Sequence, residues 1–466
     1  MNPDFSTRFG GGASGTFVNP VCAAMLAATI VLMFVLPRKY VIIPVFLTLF
    51  LLPVGQQVNV AGVHLYFTRI LVMLGGIRVI SAKMTSPDEV FGGGFTSIDK
   101  IFLFWAGVRS LCTILEFVNT SVIINQAGFL CDVLGGYILM RYLIRDEDDM
   151  VRALKTMALV VAILAFTTTC ERVLGRNFFG YIGGRLIPAT RDGAIRAQGS
   201  FADPIRCGTF AATLLPLFIW LWQEGKSRSA AIVGFAGGII IVLASASSTP
   251  IMSMMAIGAG IAMWPLRKSM RIIRWGMVIF VVLLNMVMKA PVWFAISHVD
   301  IISGNSGYHR AMLIDSLVRH FSDWWLIGVQ STANWAFEMT DQANQFVYEA
   351  ESGGLLTLIA FILLISWSFG RLGDARKVVD GDKKKEWMFW LFGLALLSHV
   401  VSFFGIAFND QAIYSWFFLF AMICAATSPV LAGKTVKDAE PVGVRPPSRP
   451  WQALPPRVSS GIRRTV

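Results

Sequence analysis

The sequence predicts an all-α fold, a polytopic membrane helix bundle. Of the 466 residues, 55% are hydrophobic and only 15% are charged, and the mean hydropathy is +0.64. A soluble chain of this length would expose far more charge. The apolar residues also fall into blocks of roughly 16–22 between short polar joints, the length that a helix needs to cross a bilayer. We therefore expect about 12–13 transmembrane helices, with a long periplasmic loop before the last three.

Each apolar block defines one predicted span, and together they form a transmembrane domain over residues 1–433. The first block lacks a basic segment before it and a small-residue cleavage site after it, so we interpret it as a retained span rather than a signal peptide. The spans are 17–36, 41–55, 60–80, 100–118, 124–144, 152–170, 205–222, 230–245, 250–265, 275–290, 353–370, 387–408 and 411–430.

Basic residues in the short joints predict the orientation of the bundle. They crowd the joints at 267–274 and 371–385, and such joints stay on the cytoplasmic side of a membrane. The tail 434–466 is basic, rich in Pro and poor in apolar residues, so we expect a disordered cytoplasmic segment there. The segments 171–204 and 291–352 are then outer, periplasmic loops of an inner-membrane protein.

The number of spans leaves the side of the N-terminus open. Thirteen spans with a cytoplasmic C-terminus place the N-terminus outside. The stretch 41–55 is interrupted by proline. If that stretch is re-entrant or merges with a neighbour, the count is twelve and both termini are inside.

The first outer loop carries positive charge on the side where insertion disfavours it. Its basic residues are all arginines, namely Arg172, Arg176, Arg185, Arg191, Arg196 and Arg206. Guanidinium groups capture phosphate oxygens in pairs, so the cluster predicts a site for a phosphorylated, membrane-borne substrate. We favour this function for Arg191 and Arg196, which lie in a glycine-punctuated stretch. For the first three arginines we favour pairing with lipid phosphates or with acids of the second loop.

The second outer loop is too long to be a simple joint. Apolar residues at helical spacing predict a helix inside it from about Ser306 to Phe321. His309 and His320 share one stripe of that helix, with Arg310 beside it, because eleven residues make about three turns. Such a helix would lie on the membrane surface with its polar stripe over the mouth of the bundle.

Aromatic and acidic residues follow this predicted helix. Trp324, Trp325 and Trp335 are typical of interfacial anchors, although flat aromatic faces also suit sugar rings. Asp341 is either a functional residue or a solvated charge. We interpret Glu349 as a solvated charge at the start of a helix, where negative charge is favourable.

Other classes of site lack their sequence signals. The six cysteines have no CxxC spacing and the five histidines form no HExxH motif, which argues against a metal centre or a disulfide framework. No GxxxxGK[ST] motif indicates ATP binding. The net charge of +12 sits in the joints between spans, so we expect membrane lipids rather than nucleic acid as partners. We predict no cofactor.

Within the spans charge is sparse, and Arg69, Arg109 and Glu116 are the main cases. Ionisable residues at that depth mark either a transport pathway or a paired structural contact.

Six short stretches in the outer loops and the neighbouring spans form a pattern. They are 196–204 (RAQGSFADP), 244–250 (ASASSTP), 308–310 (YHR), 324–328 (WWLIG), 344–346 (NQF) and 351–356 (ESGGLL). In these stretches, and in the three closing spans after the long outer loop, the chain resembles the O-antigen ligase and O-antigen polymerase family of bacterial polysaccharide assembly. The resemblance covers most of the chain through loose motifs.

The resemblance implies a glycosyltransferase that uses no metal or nucleotide and moves glycans from undecaprenyl diphosphate on the outer face of the inner membrane. It implies that Arg191, Arg196 and Arg310 bind the diphosphate. Cations fixed where charge develops would stabilise departure of this leaving group, which agrees with that assignment.

The same resemblance leaves the general base open. A base must take a proton from the acceptor hydroxyl. The ligases carry a His-Asn pair before the late glycine-rich span opening, whereas here Ala343 precedes Asn344. The candidate catalytic residues are therefore Asp341, His309 and His320, in that order.

We accordingly expect polymerisation or transfer of undecaprenyl-diphosphate-linked oligosaccharide in O-antigen or exopolysaccharide biosynthesis. The expected partners are the lipid-linked glycan, a glycan or lipid acceptor, membrane lipids and polysaccharide-assembly proteins. A transporter or flippase of lipid-linked glycans is the alternative from another class, and it would need a polar path through the spans. A non-catalytic assembly partner is the third interpretation, because the histidine of the His-Asn pair is missing.

Overall fold

A computed structural model describes residues 16–60, 63–85, 90–191, 193–299, 306–336 and 343–439. Most of the described chain is helical. In chain order the helices are α1 (Pro20–Val35), α2 (Arg38–Leu51), α3 (Phe67–Thr85), α4 (Ser97–Phe117), α5 (Thr120–Leu130), α6 (Gly136–Leu143), α7 (Glu147–Leu174), α8 (Pro204–Glu224), α9 (Arg228–Ala244), α10 (Ser248–Ala262), α11 (Met270–Val287), α12 (Ser306–Arg319), α13 (Phe321–Trp324), α14 (Gln345–Val378), α15 (Lys383–Phe403) and α16 (Ile413–Ala439). Two antiparallel ribbons accompany them, β1 (Gln57–Val60) with β2 (Val63–Tyr66) and β3 (Ala189–Arg191) with β4 (Ala194–Arg196).

The predicted all-α polytopic helix bundle is confirmed. Among the described residues, seven helical segments are long and apolar enough to cross a membrane; they are Thr120–Leu143, Glu147–Leu174, Pro204–Glu224, Trp264–Val287, Gln345–Val378, Lys383–Phe403 and Asp410–Gly433. Each of the thirteen predicted spans coincides with a helical segment, although the third begins at Phe67 rather than at residue 60. The last helix continues to Ala439, into the predicted tail, and residues 440–466 lie outside the described residues.

The first two helices form an antiparallel hairpin. Thr29 Oγ1 and Thr48 Oγ1 share a hydrogen bond of 2.6 Å across it. The start of α1 contacts the first outer loop, because the Cys22 thiol donates to the carbonyl of Ile182 at 3.3 Å. The chain therefore enters α1 at the end of the bundle that carries this loop.

The opposite end of the bundle collects the charged joints. There Arg38 pairs with Asp149 at 2.5 Å and Arg267 pairs with Glu386 at 2.8 Å. The joints that the basic-residue rule predicts to be cytoplasmic thus share one end of the molecule.

The core of the bundle is centred on α16, whose residues 414–428 are all buried. Aromatic rings fill the space around it. Trp416 stacks on Phe403 of α15 with ring centroids 4.3 Å apart, and Phe102 of α4 stacks on Tyr137 of α6 at 4.1 Å. Such pairs add about 0.5–1.5 kcal/mol each beyond the burial of their area.

Helix α14 is broken at two glycines. In a regular helix the N–H of Leu355 would donate to the carbonyl of Glu351. Instead, Leu355 N–H donates to the carbonyl of Trp325, and the carbonyl of Glu351 accepts from Val329 N–H, both at 2.9 Å. Gly354 adopts a φ of +73° at this point. The break therefore fixes the second outer loop to the membrane helix by backbone hydrogen bonds.

Two short ribbons accompany the predicted helices, at places where the sequence analysis names no strand. The β3–β4 ribbon lies in the first outer loop, and Gly193 follows β3 with a φ of +75°. An Asp-Gly pair at such a position is a standard hairpin signal, because it tolerates positive φ. Asp192 itself lies outside the described residues.

Candidate functional site

Polar contacts fix the first outer loop to the helices beneath it. Glu171 is completely buried near the end of α7. Its carboxylate accepts the backbone N–H groups of Gln198 and Gly199 at 3.0–3.2 Å. The side-chain amide of Asn177 donates to the carbonyl of Gly199 at 2.7 Å. Glu171 is therefore an anchor for the chain that follows Arg196, rather than a counter-ion for the loop arginines.

The β3–β4 ribbon brings Arg191 and Arg196 together. Arg191 is opposite Ala194 and Arg196 is opposite Ala189, so the two arginines are diagonal neighbours on one face, roughly 7–8 Å apart. Burial, and then the charge of Arg191, lower the pKa of the Arg196 guanidinium, and the charge of Asp203 opposes this shift. Arginine still carries its charge at neutral pH. The ribbon thus presents two like charges that a bound anion would stabilise.

Arg196 extends to the serine-rich turn that precedes α10. Its Nη2 donates to Ser247 Oγ at 2.7 Å, and this hydroxyl donates to the carbonyl of Ser245 at 2.8 Å. The Nε group of Arg196 is buried and has no hydrogen-bond partner among the described residues. A buried donor without an acceptor is costly, so this N–H is suited to an oxygen atom of a ligand.

The remaining loop arginines differ in their surroundings. Arg172 donates to the carbonyls of Ile195, Leu243 and Ala244 at 3.2–3.4 Å. It therefore closes the C-terminal end of α9 against the ribbon. Arg176 and Arg185 are exposed, and their pairing with lipid phosphates stays a prediction.

The predicted helix of the second outer loop is present as α12. Its residues Leu313 and Leu317 are buried in a small apolar cluster with Ala350 of α14. On the same helix Arg310 is 7% exposed, and its Nη2 donates to Thr249 Oγ1 at 3.0 Å. Helix α12 thus places the guanidinium of Arg310 at the first turn of α10.

Arg310 lines a cavity of about 320 Å³. The other lining residues come from α10, from α15 and from the chain that follows α15; they are Thr249, Met252, Val401, Phe404 and Gly405. The walls are apolar apart from Arg310 and the threonine hydroxyl. A cavity of this kind suits a lipid that carries an anionic head group.

The two outer loops therefore converge on one turn. Ser247 immediately precedes α10 and binds Arg196, while Thr249 lies in the first turn of α10 and binds Arg310. The N-terminal end of a helix is also favourable for anions, because its N–H groups and dipole point outwards. We call Arg191, Arg196, Arg310, Ser247 and Thr249 the arginine site.

Close packing supports this turn from two sides. A side chain at position 208 would collide with Ser245, and one at position 405 would collide with Thr249. Gly208 and Gly405 therefore let α8 and the chain after α15 approach the turn closely.

The three candidate bases fall in different places. His309 is half-buried and adjacent to Arg310. His320 lies just beyond the end of α12. It is ten residues after Arg310, and the helical rise places it about 15 Å from Arg310 along the helix axis. Its Nδ1 contacts the carbonyl of Ser316 at 2.9 Å, and its ring stacks on Trp335 with centroids 5.0 Å apart. These contacts hold His320 away from the arginine site. Asp341 lies outside the described residues.

The aromatic residues of this loop have separate roles. Trp324 is buried, and its indole N–H donates to the carbonyl of Leu317 at 2.8 Å. Trp325 is exposed, which fits the interfacial anchor that the sequence predicts. Trp335 is half-buried against His320.

The interpretation of Glu349 as a solvated charge is wrong. Its side chain is completely buried and pairs with Arg109 of α4 at 3.2 Å. Trp105 and Gln345 also donate to its carboxylate, at 2.9 and 2.6 Å. Asn344 accepts the N–H of Phe346 at 2.9 Å and so caps α14.

Ser247 and Thr249 are the site residues that the sequence does not single out individually. Their stretch appears only as part of the family pattern, because a hydroxyl gains its role from arginines about fifty residues away or more. The signal that could find them is the run of hydroxyl residues directly before a span, where a helix N-terminus must lie.

Comparisons with known proteins add no assignment to this geometry. No family model matches the chain, and no curated protein matches it.

Proposed function

We propose that this protein is a metal-independent glycosyltransferase that polymerises or transfers undecaprenyl-diphosphate-linked oligosaccharide in O-antigen or exopolysaccharide biosynthesis. The observation that carries the proposal is the convergence of Arg196 and Arg310, from two separate outer loops, on the start of α10. Three guanidinium groups, with Arg191 as the third, suit the two phosphates of a lipid diphosphate. The apolar cavity at Arg310 suits the adjoining lipid.

The chemistry follows from the position of the charges. In a transfer reaction, the bond between the sugar C1 and the diphosphate oxygen breaks, and negative charge develops on the leaving group. Fixed guanidinium groups stabilise that charge without reorganisation, and removal of one such donor typically costs about 10²–10³ in rate. The reaction then needs a base for the acceptor hydroxyl.

A flippase is the rival function, and the pairing of the two intramembrane arginines Arg69 and Arg109 argues against it. Arg69 pairs with Asp132 at 2.6 Å and Arg109 pairs with Glu349 at 3.2 Å. Paired charges of this kind serve as structural contacts, whereas a transport pathway needs polar groups that a moving substrate can reach.

The proposal includes a location. A bacterial inner membrane would hold the bundle with its basic joints and C-terminus in the cytoplasm. The arginine site would then face the periplasm, where it meets a lipid-linked glycan, an acceptor and the partner proteins of polysaccharide assembly.

Reconstitution tests the proposed function. The purified full-length protein in liposomes is given an undecaprenyl-diphosphate oligosaccharide and an acceptor glycan, and the products are separated by length. We expect longer or transferred glycan chains. Glycan that crosses the bilayer unchanged would establish the flippase instead. If the glycan is neither transferred nor moved across the bilayer, the non-catalytic assembly partner is the interpretation that remains.

Alanine variants connect that reaction to the site. We expect Arg196→Ala and Arg310→Ala each to lose product by about 10²-fold or more while the protein stays folded. The matched control is Arg185→Ala, since Arg185 is an exposed arginine of the same loop. Wild-type chain length in both site variants would show that these arginines do not act in transfer.

A further inference from the structure

A second charged cluster adjoins the arginine site at the start of α8. Arg206 Nη1 lies 3.0 Å from Asp203 Oδ2 and 3.0 Å from Asp410 Oδ2. The two carboxylate oxygens are therefore within about 6 Å of each other, and one guanidinium separates two like charges. Both carboxylates are about one-third exposed, which leaves them accessible from solvent.

This cluster is joined to the arginine site on both sides. Asp203 lies close enough to Arg196 for its charge to act on that guanidinium. Asp410 lies in the segment after α15 that includes Phe404 and Gly405, which line the cavity of Arg310. Asp410 thus contacts Arg206 at the start of α8, shortly after the strand of Arg196, and belongs to the segment that lines the cavity of Arg310.

The two carboxylates are engaged to different degrees. Asp203 caps α8, with Oδ1 accepting the N–H of Arg206 at 2.9 Å and Oδ2 paired with its guanidinium. Arg206 contacts only Oδ2 of Asp410. Within the part of the chain that the structure describes, no hydrogen bond reaches Oδ1 of Asp410. Asp203 is therefore suited to hold Arg206 in place, and Asp410 is the carboxylate with an oxygen available for a proton.

The backbone at Asp410 is strained. Its φ is +57°, a left-handed conformation that residues other than glycine seldom adopt. Strain of this kind is concentrated at functional sites. The surrounding contacts keep it in place, since Gln411 donates to the carbonyl of Leu52 and Gln345 accepts the N–H of Phe408 at 2.7 Å.

We propose that Asp410 is the general base of the transfer reaction, held in position by Arg206 and Asp203. This inference rests on the proposed function. Asp410 Oδ1 takes the proton of the acceptor hydroxyl as that oxygen forms its bond to C1 of the donor sugar. The bond from C1 to the phosphate oxygen breaks, and the electron pair leaves with undecaprenyl diphosphate. Asp410 then releases its proton to water. Asp341, His309 and His320 stay the alternative bases, and Asp410 differs from them in lying outside the second outer loop.

The test uses the reconstituted full-length protein with its lipid-linked donor and acceptor. Asp410→Asn keeps the shape and tolerates positive φ, while Asp410→Gly removes both the carboxylate and the strain. We expect each variant to lose about 10²–10⁴ in transfer rate and to bind undecaprenyl diphosphate as tightly as the wild type. The control is Asp374→Asn, which changes an exposed acid at the opposite end of the bundle from the arginine site and should leave the transfer rate unchanged.

Two readouts separate a base from a structural contact. In the wild type, the transfer rate should fall towards low pH as the carboxylate becomes protonated, and this acidic limb should be absent from the residual rate of Asp410→Asn. Added formate should restore part of the activity of Asp410→Gly. Wild-type rates in both variants, or equal losses of binding and transfer, would overturn the assignment. An inactive wild type would instead refute the proposed function itself.

Discussion

Arg196 and Arg310 each donate one N–H to a hydroxyl at the start of α10. Arg196 binds Ser247, which precedes the helix, and Arg310 binds Thr249 in its first turn. A guanidinium has five N–H groups in a rigid fork, so one bond to Ser247 fixes the orientation of Arg196 while other donors stay available to phosphate. Lysine could not do both, because its ammonium group is a point charge without a fixed direction. At this scale the hydroxyl anchors explain why arginine is the residue type in both loops.

Glu349 and Arg109 provide a stability prediction at the scale of single residues. Removing the carboxylate in Glu349→Ala leaves a buried, uncompensated charge on Arg109, which we expect to destabilise the protein by about 3–5 kcal/mol. The measurement is the thermal unfolding of the detergent-purified protein.

A control and a rescue accompany this variant. Asp374→Ala breaks an exposed pair with Lys377 and should leave the unfolding temperature unchanged, since surface pairs contribute little. The double variant Arg109→Met/Glu349→Leu should recover much of the loss. If Glu349→Ala unfolds at the same temperature as the wild type, the pair contributes nothing to stability.

Among the elements, the broken helix α14 links the surface helix to the membrane bundle. Trp325 and Val329 supply the two hydrogen bonds that the helix lacks at its break. Arg310 therefore belongs to a module, α12 with α13 and the following turn, that is fixed by backbone bonds as well as by apolar packing. This arrangement explains how a residue on an outer loop can hold a precise position relative to α10.

Gly354 tests the importance of the break. Its φ of +73° and ψ of −171° are accessible essentially to glycine alone, and a Cβ there would lie 2.6 Å from the carbonyl oxygen of Leu326. We expect Gly354→Ala to destabilise the protein by about 1–3 kcal/mol and to reduce transfer. Gly370, in the same helix, has open space around it, so Gly370→Ala should be neutral or slightly stabilising. Equal unfolding temperatures for the two variants would contradict this account.

For the whole molecule, the sequence predicted the features that depend on local patterns, but it did not predict the contacts between distant segments. Helical periodicity and hydropathy were enough to locate the helical segments, because each depends on its own residues. Arg196 could be chosen from charge on the disfavoured side of the membrane, whereas Arg310 was chosen from the resemblance to the ligase and polymerase family. The burial of Glu349 could not be predicted, since its partner Arg109 is 240 residues away. The role proposed for Asp410 likewise depends on Arg206, which is 204 residues away.

The orientation of the bundle gives a prediction at the same scale. Ile187 is exposed in the first outer loop, and Ser229 is exposed at the basic end. In a background with the half-buried Cys131 and Cys170 replaced by serine, Ile187→Cys should react with an impermeant maleimide on cells whose inner membrane is intact. Ser229→Cys should react only after that membrane is opened. The reverse pattern would invert the proposed topology.

The central claim is that the two outer loops form one binding site for a lipid diphosphate. The most direct measurement is the affinity of the purified protein for undecaprenyl diphosphate, compared among the wild type, Arg196→Ala, Arg310→Ala and the control Arg185→Ala. We predict saturable binding by the wild type and the control, and affinities about tenfold weaker or more in each site variant, as expected when a charge-assisted hydrogen bond is lost. Wild-type affinity in both Arg196→Ala and Arg310→Ala would contradict the account.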